Sequence, residues 1–349
     1  YFSINGHNPE EIFKVLKKVQ NAKKPCVISC KTKIGFGSPN KSGKASAHGS
    51  PLGNNEIDLV REKLQWNHKP FEIPKNLLDE WRKIGKKGDS QEKKWNKIYR
   101  KNKNKIDKLF NQNFSKEIIL EKKKAIKELK PLATRKASEK TLIRLTSREN
   151  SLIGGSADLA GSNNTKTNHQ KILKPGKVNG NYIHYGVREH GMGSIMNGLK
   201  LHSKFIPYGG TFLIFSDYCK PSIRLSALME QQIIYIMTHD SIGLGEDGPT
   251  HQPIEQLSGL RAIPNLNVLR PADRMETIEC WDIALKNKKT PSILSLTRQN
   301  LEPIRNKFTN TNMCSLGAYE ILRTNKKISL TILASGSEVN LAIETSHKL

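Results

Sequence analysis

Apolar and polar positions alternate with two different periods along this chain. Residues 9–21 (PEEIFKVLKKVQN) have helical spacing, with Pro9 and two acids in the opening turn, as helix starts favour. A short apolar run, Cys26–Cys30, predicts a strand whose alternation puts both cysteines on one face as buried, reduced thiols. A Gly/Ser/Lys loop follows at 31–53. Further along, strands are predicted at 151–154, 205–208, 232–238, 266–269 and 292–296. Helical patterns at 136–147, 187–200, 213–229 and 274–286 separate them. Continuous apolar strands alternating with helices predict an α/β fold, with parallel sheets flanked by helices on both faces. A last strand is expected at 328–334, followed by the turn SGSE and a helix from Val339.

Composition narrows the picture. The chain has 349 residues, 36% of them hydrophobic and 26% charged, which is too apolar and too patterned for disorder. No apolar run approaches the ~20 residues that span a bilayer, so no membrane partner is expected. Lys and Arg number 58 against 32 Asp and Glu, a net charge of +26, which raises nucleic acid as a partner. The excess is local. Residues 81–130 carry 18 basic and 6 acidic side chains, whereas 231–260 carry no Lys or Arg. The basic stretch is Lys-dominated, and Trp95, Ile98, Tyr99, Ile106, Leu109 and Phe110 recur at helical spacing within it. A solvated helical linker, without nucleic acid, is therefore expected. Five cysteines form no C-x-x-C pair, which fits a reducing, cytoplasmic setting.

Three segments carry candidate chemistry. THDSIGLGEDGPTHQPIEQ (238–256) follows an apolar strand, at the end where open α/β sheets place ligands. It holds His239, Glu246, Asp247 and His251 among glycines and prolines, a set suited to proton transfer and hydroxyl recognition. No H-x-x-x-H or H-E-x-x-H spacing suggests a metal there. In the second segment, Arg188, Glu189 and His190 open an amphipathic helix, where a glutamate also serves as a simple dipole partner. In the third, Phe212, Phe215 and Tyr218 recur every three residues and are expected on one helical face, where core packing is the ordinary explanation.

Together HDSIGLGEDGPTHQP, GVREHGM, GGTFLIFSDY, GGSADLAGSN, TRKAS, KTKIGFGSP and LTRQN resemble the transketolase family, in order and spacing and over essentially the whole chain. The resemblance implies a thiamine-diphosphate-binding fold and transfer of a two-carbon ketol unit between sugar phosphates, as in the pentose phosphate pathway. It implies that residues 1–82 are the tail of a diphosphate-binding domain, 83–130 a basic helical linker, 131–310 a pyrimidine-binding domain and 311–349 the start of a C-terminal domain. Glu189 matches the glutamate that faces N1′ of the aminopyrimidine. Phe212, Phe215 and Tyr218 match the aromatic pocket around that ring, and Asp158 matches an aspartate near the cofactor at the subunit interface of a homodimer. His239 and Asp247 match residues that bind sugar hydroxyls, and His251 matches one near the reacting centre. His48 matches the histidine that reaches the diphosphate and the substrate carbonyl. Arg135, Ser162 and Arg298 match a sugar-phosphate clamp, and two guanidinium forks with a hydroxyl suit that task.

There are departures. The G-D-G…N element that binds a divalent cation, Mg or Ca, is absent, and the only GD is Gly88–Asp89 in the basic stretch. Asn8 stands where the family more often has Asp. The chain opens at Tyr1 and ends at Leu349 inside a helical pattern, so both ends look cut and a fragment without activity of its own is expected. Dihydroxyacetone synthase, 1-deoxyxylulose-5-phosphate synthase and a catalytically dead basic interaction protein on the same fold remain as alternatives.

Overall fold

The structure, a computed structural model, describes residues 1–110, 113–147, 151–177, 179–323 and 327–349. It divides into two compact units, Tyr1–Arg100 and Lys101–Leu349.

In the first unit, β1 (Phe2–Asn5) pairs in parallel with β2 (Ile28–Lys31), and α1 (Pro9–Val19) connects them. The side chain of Asn8 caps α1 by accepting from the amides of Glu10 and Glu11, and Lys17 and Lys18 occupy its last turn. Both ends of the helix thus carry charges that suit its dipole. Cys26 and Cys30 are exposed, contrary to expectation, and β2 begins two residues later than predicted. A two-stranded sheet has too little area to bury both faces. Helices α2 (Asn54–Lys63) and α3 (Lys75–Lys86) follow, and α4 (Asp89–Leu109), which crosses the division at Arg100, is the expected basic helix, with Trp95 and Tyr99 stacked at 5.1 Å. The predicted linker at 83–130 includes residues 111–112, which lie outside the described ones.

The second unit holds α5 (Ser115–Lys127), β3 (Leu132–Ala133), α6 (Thr134–Leu145), β4 (Leu152–Ser156), α7 (Ala160–Asn163), β5 (Tyr182–His184), α8 (Glu189–His202), β6 (Ile206–Phe212), α9 (Ser216–Leu228), β7 (Ile234–Thr238), α10 (Gln256–Arg261), β8 (Asn267–Leu269), α11 (Arg274–Lys286), β9 (Ser292–Leu296), β10 (Asn300–Leu301) and α12 (Glu338–Lys348). Six strands form one parallel sheet in the order β5-β4-β6-β7-β9-β8, and β3 pairs antiparallel with β10. Every residue of β6, β7 and β9 is buried, because helices cover both faces. Alternation sorts the side chains. Ile234 and Ile236 face a core built with α5, α6 and α11, while Tyr235 and Met237 face a core built with α8, α9 and α10. Trp281 of α11 is fully buried and donates from Nε1 to Ser138 Oγ at 2.9 Å.

The chain order reverses between β4 and β6, since β5 lies on one side of that pair and β7 on the other. Such a switch point opens a crevice at the carboxyl ends of the strands. One predicted element does not form. Residues 328–334 are not a strand, and Ile328, Leu330 and Leu333 are exposed. A strand needs a neighbour for its backbone groups, and none lies beside this segment among the described residues.

Candidate active site

Five strand ends deliver most of the candidate residues to one edge of the sheet. After β4 the chain turns through Asp158 (φ 62°) into α7, which carries Ser162. After β5 it passes Gly186 to Glu189, the first residue of α8. Phe212 ends β6, Phe215 caps α9, and Tyr218 lies in the first turn of that helix. The aromatic triplet therefore runs from strand into helix rather than along one helical face. His239 (φ 61°) follows β7 directly, and Arg298 lies two residues beyond β9. Arg135, in the first turn of α6, is brought to the same edge by reciprocal bonds between Thr134 and Thr297: Thr134 N donates to Thr297 Oγ1 at 3.0 Å, and Thr297 N donates to Thr134 Oγ1 at 2.7 Å. Asp158 and His239 are left-handed without being glycine, a costly backbone choice that concentrates at functional sites.

The rings form a continuous cluster. Phe212 and Phe215 stack at 5.6 Å, and Phe215 and Tyr218 at 5.8 Å. His239 lies 3.7 Å from Phe212, and His251 lies 5.3 Å from Phe215. Thr238 Oγ1 accepts from Asn163 Nδ2 at 2.7 Å, and its own hydroxyl is 2.8 Å from Nδ1 of His239. With Thr238 donating to Nδ1, the His239 proton resides on Nε2. Burial, with Arg135 and Arg298 nearby, pulls this imidazole down to about 4, so it is neutral at pH 7. Asp247 opposes that shift and His251 adds to it, which places all five groups in one electrostatic neighbourhood.

Two guanidiniums meet at this edge. Arg135 Nη1 donates to the backbone carbonyl of Ser162 at 2.8 Å, while its buried Nε has no partner among the described residues. Burial and the charge of Arg298 together lower the Arg135 pKa. Arg298 donates to the carbonyl of Leu244 and to Glu246 Oε1, the latter at 3.2 Å. Gly245, at φ 102°, lets the loop approach, since a Cβ there would stand 2.7 Å from Arg298 Nη1. Two like charges with an orphaned donor are chemically suited to an anion.

Glu189 is only 7% exposed, and among the described residues nothing donates to its carboxylate. It sits on the positive end of α8, beside Cys219, whose thiol is pushed up to about 12 by burial and by Glu189 and Asp217. Its neighbour His190 is fixed through Nδ1 to Ser222 Oγ at 3.0 Å. Gln256 Nε2 donates to Asp217 Oδ2 at 2.8 Å, which ties the 238–256 loop to α9. A carboxylate without a protein donor, on a mostly covered residue beside an aromatic stack, suits a flat heterocycle with a basic ring nitrogen.

His48 belongs to the first unit, where it is exposed on the 31–53 loop. Glu56 of α2 anchors that loop, accepting from Ser38 Oγ, from Asn40 N at 2.9 Å and from Asn40 Nδ2 at 3.0 Å. The bonds from Ser38 and Asn40 hold the Glu56 carboxyl down at about 2. Sequence spacing pointed to neither Glu56 nor Asn163, because each works through partners distant in the chain.

Comparison with known proteins decides the family. Residues 130–303 match the model for the transketolase pyrimidine-binding domain, and residues 2–119 match that for the transketolase thiamine-diphosphate-binding domain. The chain belongs to the transketolase family. It is 45% identical to a transketolase of Sinorhizobium medicae over 353 residues, covering 99% of this chain and 51% of the relative. Among solved structures, a transketolase from Campylobacter jejuni superposes with TM-score 0.86 at 39% identity, over 99% of this chain and 54% of that one. A transketolase from Pichia stipitis in complex with sedoheptulose 7-phosphate gives TM-score 0.79 at 37% identity, over 96% and 51%. The chain thus spans about half the length of the transketolases it matches. Among the described residues no helix is long and apolar enough to cross a membrane.

Proposed function

We propose that this chain is the central part of a transketolase, cytoplasmic and homodimeric, that moves a two-carbon ketol unit from a ketose phosphate to an aldose phosphate. Its proposed divisions are 1–82, 83–130, 131–310 and 311–349, with the divalent-cation ligands supplied by protein outside this chain. The observation that carries the proposal is the convergence, at one sheet edge, of a mostly covered glutamate, an aromatic stack, a neutral histidine and two guanidiniums.

Bound thiamine diphosphate would supply a carbon nucleophile and an electron sink. Phe212, Phe215 and Tyr218 would enclose its pyrimidine ring and exclude water from it. Glu189, at the start of α8, would hold a proton against N1′ of that ring, and Asp158 would border the cofactor. The neutral His239 presents Nε2–H to a sugar hydroxyl oxygen, and Asp247 accepts from another. His251 stands over Phe215 on the side where the reacting carbons would lie. Arg135, Arg298 and Ser162 would take the distal phosphate, which satisfies the orphaned Nε of Arg135. His48, on its own unit, is assigned to the diphosphate and the substrate carbonyl through its family match.

The test joins this chain to a complete amino-terminal half from a relative and measures ketol transfer from xylulose 5-phosphate to ribose 5-phosphate. Turnover is expected. A chimera that binds the cofactor yet transfers nothing would remove the proposal.

A further inference from the structure

The residue after His239 is tied to a distant part of the unit. Asp240 is buried, and among the described side chains only Arg270 donates to it, from Nε to Oδ2 at 2.8 Å. Its other oxygen, Oδ1, is buried without a partner among the described residues, so this one bond orients the carboxylate. The remaining nitrogens of Arg270 point to the start of α12. Nη1 donates to the carbonyl of Ser335 at 2.9 Å and to Glu338, while Nη2 donates to Ser337 Oγ at 3.0 Å and Glu338 Oε1 at 3.2 Å. Gly336, at φ 62°, packs against the same guanidinium so closely that a Cβ would stand 2.8 Å from it. One planar fork therefore spans two segments, at 240 and at 335–338, and a lysine's single ammonium could not match that geometry.

A left-handed, non-glycine backbone persists only where its surroundings over-determine it. On the strand side, Thr238 holds the His239 ring at 2.8 Å, and the Thr238 carbonyl accepts from Leu213 N at 2.8 Å. On the loop side, Asp240 is the next residue, and its anchor is Arg270. We propose that Arg270 is a positioning residue, holding His239 in place through Asp240 and making that hold depend on the docking of residues 335–338. The substrate consequence rests on the assignment of His239 to a sugar hydroxyl, but the positioning itself does not.

The test uses histidine-selective NMR on the full chain, comparing wild type with Arg270→Lys and Glu338→Ala. Glu338 is half exposed, so its removal spares the core and keeps the question answerable if the arginine variant fails to fold. In wild type the His239 ring is expected to give one sharp resonance with a titration midpoint below the ordinary imidazole range. The groups facing it are Arg135, Arg298, Asp247 and His251, none of which either variant alters. Both variants are expected to broaden or split the resonance and raise its midpoint by at least one pH unit, with the His190 signal unmoved. An unchanged His239 signal in both variants, or in Glu338→Ala alone if the other does not fold, would overturn the proposal. A second readout is KM for a ketose phosphate in the completed enzyme, expected to rise about tenfold with kcat within about twofold, because an interaction lost equally from ground and transition states appears in KM. If the NMR signal moves while KM does not, the positioning stands and the hydroxyl role of His239 falls.

Discussion

Glu189 is mostly covered at the start of α8, and among the described residues no donor reaches its carboxylate, which leaves that group available to a ligand. Replacing Glu189 by Gln preserves shape and burial but changes what the site can do with a proton. The expected result in the completed enzyme is a loss of turnover of about 100-fold or more, with an unchanged circular dichroism spectrum. Arg298 offers a separate check. Truncation to Ala removes charge-assisted bonds worth about 1.5–3 kcal/mol, so KM for a phosphorylated ketose should rise roughly 10–100-fold. An unphosphorylated ketose should show little change, and equal changes for both would refute the clamp. These residues were legible because they sit in dense motifs. The link from Asp240 to Arg270 was not, since a contact across 30 residues leaves no periodic or spacing signal.

The helix α11 places Glu279 at the centre of a charged hub. Lys122 Nζ donates to it at 2.8 Å, Arg305 approaches with two nitrogens at 2.7 and 2.8 Å, and the amides of Met313 and Cys314 add two more bonds. Glu279→Ala would strand two cations, so a loss of about 3–5 kcal/mol is expected in urea unfolding. Replacing Lys122 by Met as well should recover part of it. Elements of this kind differ in how clearly the sequence shows them. Strands β7 and β9 announce themselves because sheets covered on both faces favour apolar runs, whereas the prediction at 205–208 caught only the start of β6, where Gly209, Gly210 and Thr211 interrupt the pattern. The segment 328–334 has the same apolar character, yet it forms no strand, because pairing is a property of two segments rather than one. Phe212, Phe215 and Tyr218 mimic a helical stripe, although the first of them ends a strand. A spacing of three fits both a helix and a strand-to-helix corner, so the ring cluster was foreseeable and its scaffold was not.

Across the molecule, burial is uneven. Nearly all buried apolar side chains lie between Phe114 and Leu301, whereas the first unit contributes only Val15. Urea titration of this chain should therefore show an early transition for residues 1–100 and a later one for the rest, separable by the fluorescence of Trp66 and Trp281 in single-tryptophan variants. Acid should weaken the second unit for a reason traceable to His239. Its folded pKa of about 4 lies below the ordinary value of 6.5, so protons prefer the unfolded chain. That contribution to stability is intact above pH 6.5 and is lost as pH falls from 6.5 towards 4. His239→Gln should flatten this part of the stability–pH curve.

The paired guanidiniums have a further consequence. Arg135 is held near Arg298 even though burial and that neighbour both disfavour its charge, so the resting site is electrostatically preloaded. Part of the affinity for an anion is repulsion that the folded chain already carries, and any ion able to bridge the two forks releases it. The melting temperature should consequently report which anions surround the protein, rising with millimolar phosphate or sulfate and not with chloride at matched ionic strength. In this sense the rim of the site acts as a gauge of its ionic surroundings.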